Sequence, residues 1–113
     1  MAINRETIET KVGNIDYHYS ITKEYPEGIL IFLGSYVNKE ERGKGHWRMM
    51  VKELFNMFPE GTRVQAAAKN KHLQKFFTRI GFQPVKRIEH WGMPDNTKNF
   101  EGYINKEMLE KLL

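Results

Sequence analysis

The chain has 113 residues, of which 40% are hydrophobic and 28% are charged, which is the size and composition of one ordinary globular domain. It contains no cysteine, which excludes a disulfide scaffold, a thiol nucleophile and a cysteine-based zinc site. No apolar run reaches the roughly 18 residues of a membrane-spanning helix. The N-terminal stretch is too polar for a signal peptide, so we expect a cytoplasmic protein without a membrane partner.

The net charge of +4 is unevenly distributed along the chain. Residues 61–88 contain seven lysines and arginines and no acid, whereas residues 1–60 contain eight basic and nine acidic residues. A basic block of this kind favours an anionic partner. A solvent-exposed basic face that binds nothing in particular explains the same block.

The first third of the chain has the patterns of β-strands. Residues 6–12 and 15–22 alternate polar residues with apolar or β-branched ones, which predicts two strands joined by a hairpin turn at residues 13–14 (Gly-Asn). Residues 26–28 (Pro-Glu-Gly) predict a second turn. Residues 29–37 are apolar on both faces, as in a strand that is buried on both sides.

A helix is predicted directly after this strand. It begins near Gly45 and ends at residues 59–61 (Pro-Glu-Gly). Its apolar residues recur at helical spacing and form one face: Trp47, Met50, Val51, Leu54, Phe55 and Phe58. Residues 62–68 predict a further short strand.

A second helix is predicted between Asn70, a suitable N-cap, and Gly81, which suits the left-handed position after a helix. Leu73, Phe76, Phe77 and Ile80 have helical spacing within it. The remaining residues predict a strand (82–91) that Pro84 places at an edge or bulge, a loop (93–99), a last strand (99–104) and a short amphipathic helix (105–113). This order of strands and helices predicts a single α+β (mixed α/β) domain over residues 1–113.

The turn before the first helix has the residues of a phosphate-binding loop. A helix N-terminus presents unpaired N–H groups and partial positive charge, and Gly43 and Gly45 allow a phosphate to approach the backbone. Arg42 and Lys44 add positive charge. Neither the Walker pattern nor the dinucleotide fingerprint fits, because no Gly-Lys-Ser/Thr follows and Arg48 stands where a third glycine is needed. A tight turn alone would also use two glycines.

This loop resembles a motif of the GCN5-related N-acetyltransferase (GNAT) family. The family motif has Arg or Gln, two variable residues, Gly, one variable residue, and Gly or Ala. The segment Arg42-Gly43-Lys44-Gly45-His46-Trp47 matches it at Arg42 and Gly45 and departs from it at Trp47. Val37 stands where the family usually has an aliphatic residue, five residues before Arg42.

A second segment, residues 70–82, is similar to a second block of the same family. It matches that block at Asn70, Phe76, Gly81 and Phe82, and it has substitutions at Leu73 and Phe77. The two segments stand at the family's spacing. The resemblance covers residues 29–85, about half of the chain.

The resemblance implies a central twisted mixed sheet of about six strands with flanking helices, and acetyl-coenzyme A as co-substrate. The family binds this cofactor between two splayed parallel strands, which here correspond to residues 29–37 and 62–68. Backbone groups of Tyr36 and Val37 would pair with the pantetheine amides, and Asn70 and Phe77 would lie along the arm near the thioester. The N–H groups that would hold the pyrophosphate belong to Arg42, Gly43, Lys44, Gly45, His46 and Trp47, with Lys44, Lys75 and Arg79 as charge partners of the phosphates.

The activity implied is that of an N-acetyltransferase, in which a primary amine of a protein lysine or a small molecule attacks acetyl-coenzyme A directly. Many family members have a catalytic Glu where this chain has Ile31, and a catalytic Tyr where it has Phe77. The acid and base therefore stay unassigned, with Tyr36, Glu27 and His46 as candidate substitutes. The four histidines have no metal-ligand spacing, so no metal site is expected.

Two other functions remain open. The missing acid and base, together with Trp47, favour a catalytically weak or inactive module of the same fold that binds a protein partner. Nucleic-acid binding is less favoured, because the aromatic residues of the basic block have core spacing. The chain lacks the longer N-terminal helical segment of many family members, so we expect a shallow acceptor pocket that suits a protein lysine, or one completed by a second copy in a homodimer.

Overall fold

The structure is a computed structural model that describes residues 6–68, 71–85 and 98–111. Its strands are β1 (Glu6–Glu9), β2 (Gly13–Ser20), β3 (Ile29–Val37), β4 (Arg63–Ala68), β5 (Gln83–Val85) and β6 (Lys98–Tyr103). Its helices are α1 (His46–Asn56), α2 (Lys71–Arg79) and α3 (Lys106–Lys111), and a single turn of 3-10 helix precedes α1 at Lys39–Glu41. None of the helices in these described ranges is long and apolar enough to span a bilayer.

The strands form one six-stranded sheet in the order β1-β2-β3-β4-β6-β5. The central pair, β3 and β4, is parallel, and the other four neighbouring pairs are antiparallel. Helix α1 connects the two parallel strands, as a crossover between parallel strands requires. The mixed sheet with its flanking helices confirms the predicted α+β class.

One face of the sheet packs against the helices in a single hydrophobic core. Leu30 of β3 and Val64 of β4 meet Leu54 and Phe55 of α1 and Phe77 of α2 in this core. Successive residues of a strand point to opposite faces. Ile29, Ile31 and Gln65 are therefore buried on the other side of the sheet, which we call the far face.

Most of the predicted elements are confirmed within the described residues. The strand at 29–37 has the predicted bounds, and the helix begins after Gly45 as predicted but ends at Asn56, before Phe58 and the predicted stop at residues 59–61. Gly81 follows α2 with a positive φ of 95°, and Pro84 lies in β5, which is an edge strand. The predicted N-cap Asn70 and the predicted strand and loop residues 86–97 lie outside the described residues.

The predicted hairpin turn at residues 13–14 is wrong. The chain turns at residues 10–12 instead, where Thr10 Oγ1 accepts hydrogen bonds from the amides of Val12 and Gly13 at 3.2 and 3.1 Å. Gly13 lies inside β2, paired with Val37. A Cβ on Gly13 would stand 2.0 Å from the Tyr36 carbonyl oxygen, so this glycine allows β3 to approach and does not form the turn.

Candidate cofactor site

The strands β3 and β4 separate toward their C-terminal ends. Their parallel ladder begins at Ile29 and Arg63 and stops at the pair of Phe32 with Ala66, although both strands continue. Beyond this pair, β3 stays paired with β2, and β4 stays paired with β6. The result is a wedge between the two central strands, closed at Phe32 and Ala66 and open toward the N-terminus of α1.

A β-bulge in β3 lies at the closed end of the wedge. Tyr17 pairs with Phe32 and Asp16 pairs with Gly34, so Leu33 is an extra residue in β3. A bulge bends its strand and increases the local twist. The bend therefore directs β3 away from β4 at the point where their ladder ends.

A cleft of about 930 Å³ lies between the open end of the wedge, α1 and α2. It brings together seven of the residues implied by the family resemblance: Tyr36, Val37, Arg42, Gly43, Gly45, His46 and Trp47. Two other implied residues, Lys44 and Phe77, do not line it, and Asn70 lies outside the described residues. Of the candidate catalytic residues, Tyr36 and His46 line the cleft, whereas Glu27 lies in the turn before β3, at the other end of that strand.

Unpaired amide groups border the cleft at the start of α1. The first hydrogen bond that belongs to this helix runs from the Met49 N–H to the Gly45 carbonyl, at 3.3 Å. Among the described residues, no atom accepts a hydrogen bond from the amides of residues 43–48, and no side chain caps the helix. These amides and the helix dipole form a site for an anion, which we call the amide cradle.

The two glycines of the amide cradle have backbone conformations that disfavour other residues, and the space around them is open. Gly43 and Gly45 have φ values of 81° and 83°, in the left-handed region that favours glycine. A Cβ on either residue would meet no described atom within 4 Å, so the space above the loop is open. A ligand can therefore approach the backbone from the cleft.

The charged side chains of the cleft are mostly cationic. Arg42, Arg48, Lys75 and Arg79 line it, against one acid, Glu41. The Glu41 carboxylate is itself paired, with its Oε2 atom 3.0 Å from His46 Nε2 and 3.4 Å from Lys44 Nζ. The cleft therefore suits a ligand with several negative charges.

The backbone of β3 presents Val37, and not Tyr36, to the wedge. The Asn38 N–H donates to the Val12 carbonyl at 2.7 Å, on the β2 side of the strand. Because neighbouring residues of a strand direct their N–H and C=O groups to opposite sides, those of Val37 face the wedge and those of Tyr36 face β2. The Val37 carbonyl accepts from Arg42 Nε at 2.9 Å, which leaves the Val37 N–H for a ligand. Tyr36 contributes its side chain, which is 50% exposed and lies 5.3 Å from the Arg42 guanidinium.

Trp47 fits beneath the amide cradle. Its indole ring packs edge-on against Phe76, with ring centroids 4.6 Å apart, and its Nε1 donates to Ser35 Oγ at 2.8 Å. The ring also lies 6.4 Å from the Phe32 ring. Because the side chain packs toward the core, the bulk of tryptophan does not fill the space above the loop.

The structure places Phe77 in the core, contrary to its expected position along the cofactor arm. Its side chain is 1% exposed, and the rings of Phe76, Phe82 and Phe100 lie 5.5 to 5.7 Å from it. The neighbouring Phe76 lines the cleft instead. Helical spacing placed both residues on the apolar face of the helix but could not decide which ring lines the cleft.

Sequence reasoning missed Ser35, Glu41 and Arg48 as lining residues of the cleft. Arg48 lies in the first turn of α1, so its place at the start of the predicted helix would have put it beside the phosphate loop. The hydrogen bond from Trp47 to Ser35 and the pair of Glu41 with His46 have no sequence signal, because each depends on contacts between separate segments.

No family model matches the sequence, and no curated protein matches it. Solved structures do resemble the fold. Arabidopsis thaliana NAA60 in complex with acetyl-CoA has a TM-score of 0.60 and 15% identity over 82% of this chain and 65% of that chain. An acetyltransferase from Thermus thermophilus has a TM-score of 0.55 and 19% identity over 82% of this chain and 56% of that one.

A mutant of the AtaT toxin, bound to the C-terminus of the antitoxin AtaR and to acetyl-CoA, has a TM-score of 0.56 and 16% identity over 89% of this chain and 62% of the other. The chain thus has the fold of the GNAT acetyltransferases, which confirms, for the fold, the resemblance of its two motifs. It spans 65% of the length of NAA60 and less of the other two proteins.

Proposed function

We propose that this chain binds acetyl-coenzyme A in the wedge and transfers the acetyl group to a primary amine by direct attack. The observation that carries the proposal is the amide cradle of residues 43–48, which opens onto the cleft without protein acceptors among the described residues. A diphosphate supplies acceptors for these amides and negative charge opposite a helix N-terminus. Two of the solved structures with this fold hold acetyl-CoA, which supports the choice of ligand.

The wedge has the shape and polarity for the rest of this cofactor. An arm that leaves the amide cradle and enters the wedge passes Val37, whose N–H faces the gap. It ends near the last paired residues of the ladder, Phe32 and Ala66. The cations Arg48, Lys75 and Arg79 line the same cleft and match the remaining phosphate charge.

The chemistry requires few groups from the protein. The amine nitrogen forms a bond to the carbonyl carbon, and the carbon–sulfur bond breaks as the intermediate collapses. A backbone N–H directed at the carbonyl oxygen stabilises the charge that develops there, and a wedge-facing amide of β3 would serve this purpose. The amine must also lose a proton, for which a base or a water chain is needed.

Calorimetric titration with acetyl-coenzyme A tests the binding step. We expect a dissociation constant in the micromolar range, which corresponds to roughly −8 kcal/mol. Turnover is then followed as thiol release with a chromogenic disulfide reagent, with a polyamine or a lysine peptide as acceptor. No binding heat and no thermal shift at millimolar cofactor would overturn the proposal.

One observation favours a second function, a protein-binding module of the same fold without catalysis. Ile31 is fully buried and Phe77 is 1% exposed, so hydrocarbon occupies both positions at which the resemblance implies catalytic Glu and Tyr. Under this alternative the protein binds a partner protein and releases no thiol with any amine. The same thiol assay therefore separates the two functions.

A further inference from the structure

One carboxylate lines the cationic cleft, and its backbone is anchored. Glu41 ends the 3-10 turn Lys39–Glu41, and its N–H donates to the Asn38 carbonyl at 2.8 Å. Asn38 is in turn bound to the chain between β1 and β2. Its N–H donates to the Val12 carbonyl at 2.7 Å, and its Nδ2 donates to the Lys11 carbonyl at 3.1 Å. The position of Glu41 beside the amide cradle is therefore set by the fold.

Two basic side chains of the amide cradle converge on this carboxylate. Glu41 Oε2 lies 3.0 Å from His46 Nε2 and 3.4 Å from Lys44 Nζ. Because an ionised carboxylate only accepts hydrogen bonds, the Nε2 atom of His46 carries a proton that it donates to Glu41. The side chains of Glu41, His46 and Lys44 are 32%, 33% and 58% exposed. Both contacts can therefore open and close in solvent without disturbing the core.

The contact with Glu41 accounts for the position of Lys44. Its neighbours Gly43 and Gly45 both line the cleft, whereas Lys44 does not. The ammonium group of Lys44 contacts the Glu41 carboxylate instead. The backbone N–H of Lys44 thus belongs to the amide cradle, while the charge of the same residue is withheld from the cleft.

A bound diphosphate and the Glu41 carboxylate would compete for the same partners. A diphosphate on the amides of residues 43–48 lies against the backbone that carries Lys44 and His46. Its oxygens accept charge-assisted hydrogen bonds, as a carboxylate does. Glu41 also repels this ligand, because two anions in one cleft are only partly screened at low salt. Both effects of Glu41 weaken the binding of a diphosphate.

We propose that Glu41 limits the affinity of the cleft for coenzyme A by withholding Lys44 and His46 from its diphosphate. This inference rests on the proposed function. The diphosphate is common to acetyl-coenzyme A and to the free coenzyme A that remains after transfer. Glu41 therefore weakens the binding of substrate and product alike, and its return to Lys44 and His46 favours product release. It takes no part in the bond-forming step.

The test is calorimetric titration of the full chain with free coenzyme A at low salt. Glu41→Gln keeps the size of the side chain and removes its charge, and it is expected to lower the dissociation constant about fivefold. The gain should shrink as salt is added, because exposed charges are screened. Acetyl-coenzyme A should show the same ratio between variant and parent, since it has the same diphosphate.

Glu40→Gln is the matched control. Glu40 belongs to the same 3-10 turn and has the same charge, but it is exposed and does not line the cleft. This variant changes the net charge by the same amount and should keep the dissociation constant within about twofold of the parent. An equal gain of affinity in both variants would reveal a general effect of net charge and overturn the role of Glu41.

A double-mutant cycle tests the exchange of partners. In the parent, Lys44→Ala removes a contact with the ligand and a contact with Glu41 together, so it should weaken coenzyme A binding less than about twofold. In the Glu41→Gln background the ammonium group is released to the ligand, and Lys44→Ala should weaken binding about fivefold. Equal losses in the two backgrounds would show that Glu41 does not compete for Lys44, which contradicts the proposal.

The outcomes distinguish this inference from the proposed function. If the parent binds neither coenzyme A nor acetyl-coenzyme A, both fail. If the parent binds them and Glu41→Gln binds them equally or more weakly, the inference is wrong and the cofactor site stands. Because Glu41 is partly exposed, the variant keeps the fold, which its melting temperature checks.

Discussion

Trp47 Nε1 donates a 2.8 Å hydrogen bond to Ser35 Oγ, and this bond connects the first turn of α1 to the end of β3. The indole ring also packs edge-on against Phe76 of α2, with centroids 4.6 Å apart. One side chain thus contacts the strand and the two helices that border the cleft. The resemblance implies Gly or Ala at this position. The large side chain of Trp47 instead supports the wall of the cleft.

The first prediction concerns this hydrogen bond. Ser35→Ala is expected to lower the free energy of unfolding by about 1 kcal/mol, and Trp47→Phe by somewhat more because packing against Phe76 also changes. Their double-mutant cycle in urea unfolding should give a coupling energy of about 0.5–1.5 kcal/mol. Additive effects of the two substitutions would show that the bond contributes nothing to stability.

The second prediction concerns the amide cradle. Gly45→Asp is expected to abolish acetyl-coenzyme A binding in calorimetry, because its carboxylate stands where the pyrophosphate binds. The positive φ adds strain of about 1 kcal/mol. Gly61→Asp is the matched control, since Gly61 has a φ of 91°, open surroundings and no place in the cleft. The assignment of the amide cradle would be wrong if both variants bound the cofactor equally well.

The third prediction concerns Phe77. Because its ring is surrounded by other phenylalanines, Phe77→Tyr buries a hydroxyl without a partner, which is expected to cost about 1–3 kcal/mol of unfolding free energy. The variant should show a lower melting temperature and no faster thiol release. Phe76→Tyr is the comparison, since Phe76 lines the cleft and should lose less stability. A faster Phe77→Tyr enzyme of unchanged stability would instead place this side chain at the thioester.

The fourth prediction concerns the cations of α2. Lys75 and Arg79 lie one turn apart and both line the cleft, so the double variant Lys75→Ala, Arg79→Ala should bind acetyl-coenzyme A about tenfold more weakly. The loss should shrink as salt is added, because exposed charges are screened. Lys23→Ala is the control, as an exposed lysine that does not line the cleft.

Titration with dephospho-coenzyme A assigns the partner of these two cations. If they bind the 3′-phosphate, the double variant and the parent should bind the dephosphorylated ligand equally. An equal loss of affinity for both ligands would place them at the pyrophosphate. Unchanged affinity for acetyl-coenzyme A at low salt would contradict the prediction.

The sequence by itself determined the order and type of the elements in the described residues. The strand at 29–37 and the helix after Gly45 were predictable because a continuous apolar run, helical spacing and the conformational freedom of glycine are properties of consecutive residues. The phosphate-binding character of the loop followed for the same reason, since unpaired amides at a helix N-terminus are a local property.

Only the tertiary structure decided the details of the site. It assigned Val37 rather than Tyr36 to the wedge, buried Phe77 in the core, and turned Trp47 toward Ser35. It also paired Asp16 with Gly34 and His18 with Ile31 across β2 and β3, although these partners are 18 and 13 residues apart in the sequence. Strand register, the bulge at Leu33 and the choice of buried ring depend on contacts between distant segments. Periodicity within one segment leaves these contacts undetermined, because it identifies the apolar face of an element but not the residues that the face meets.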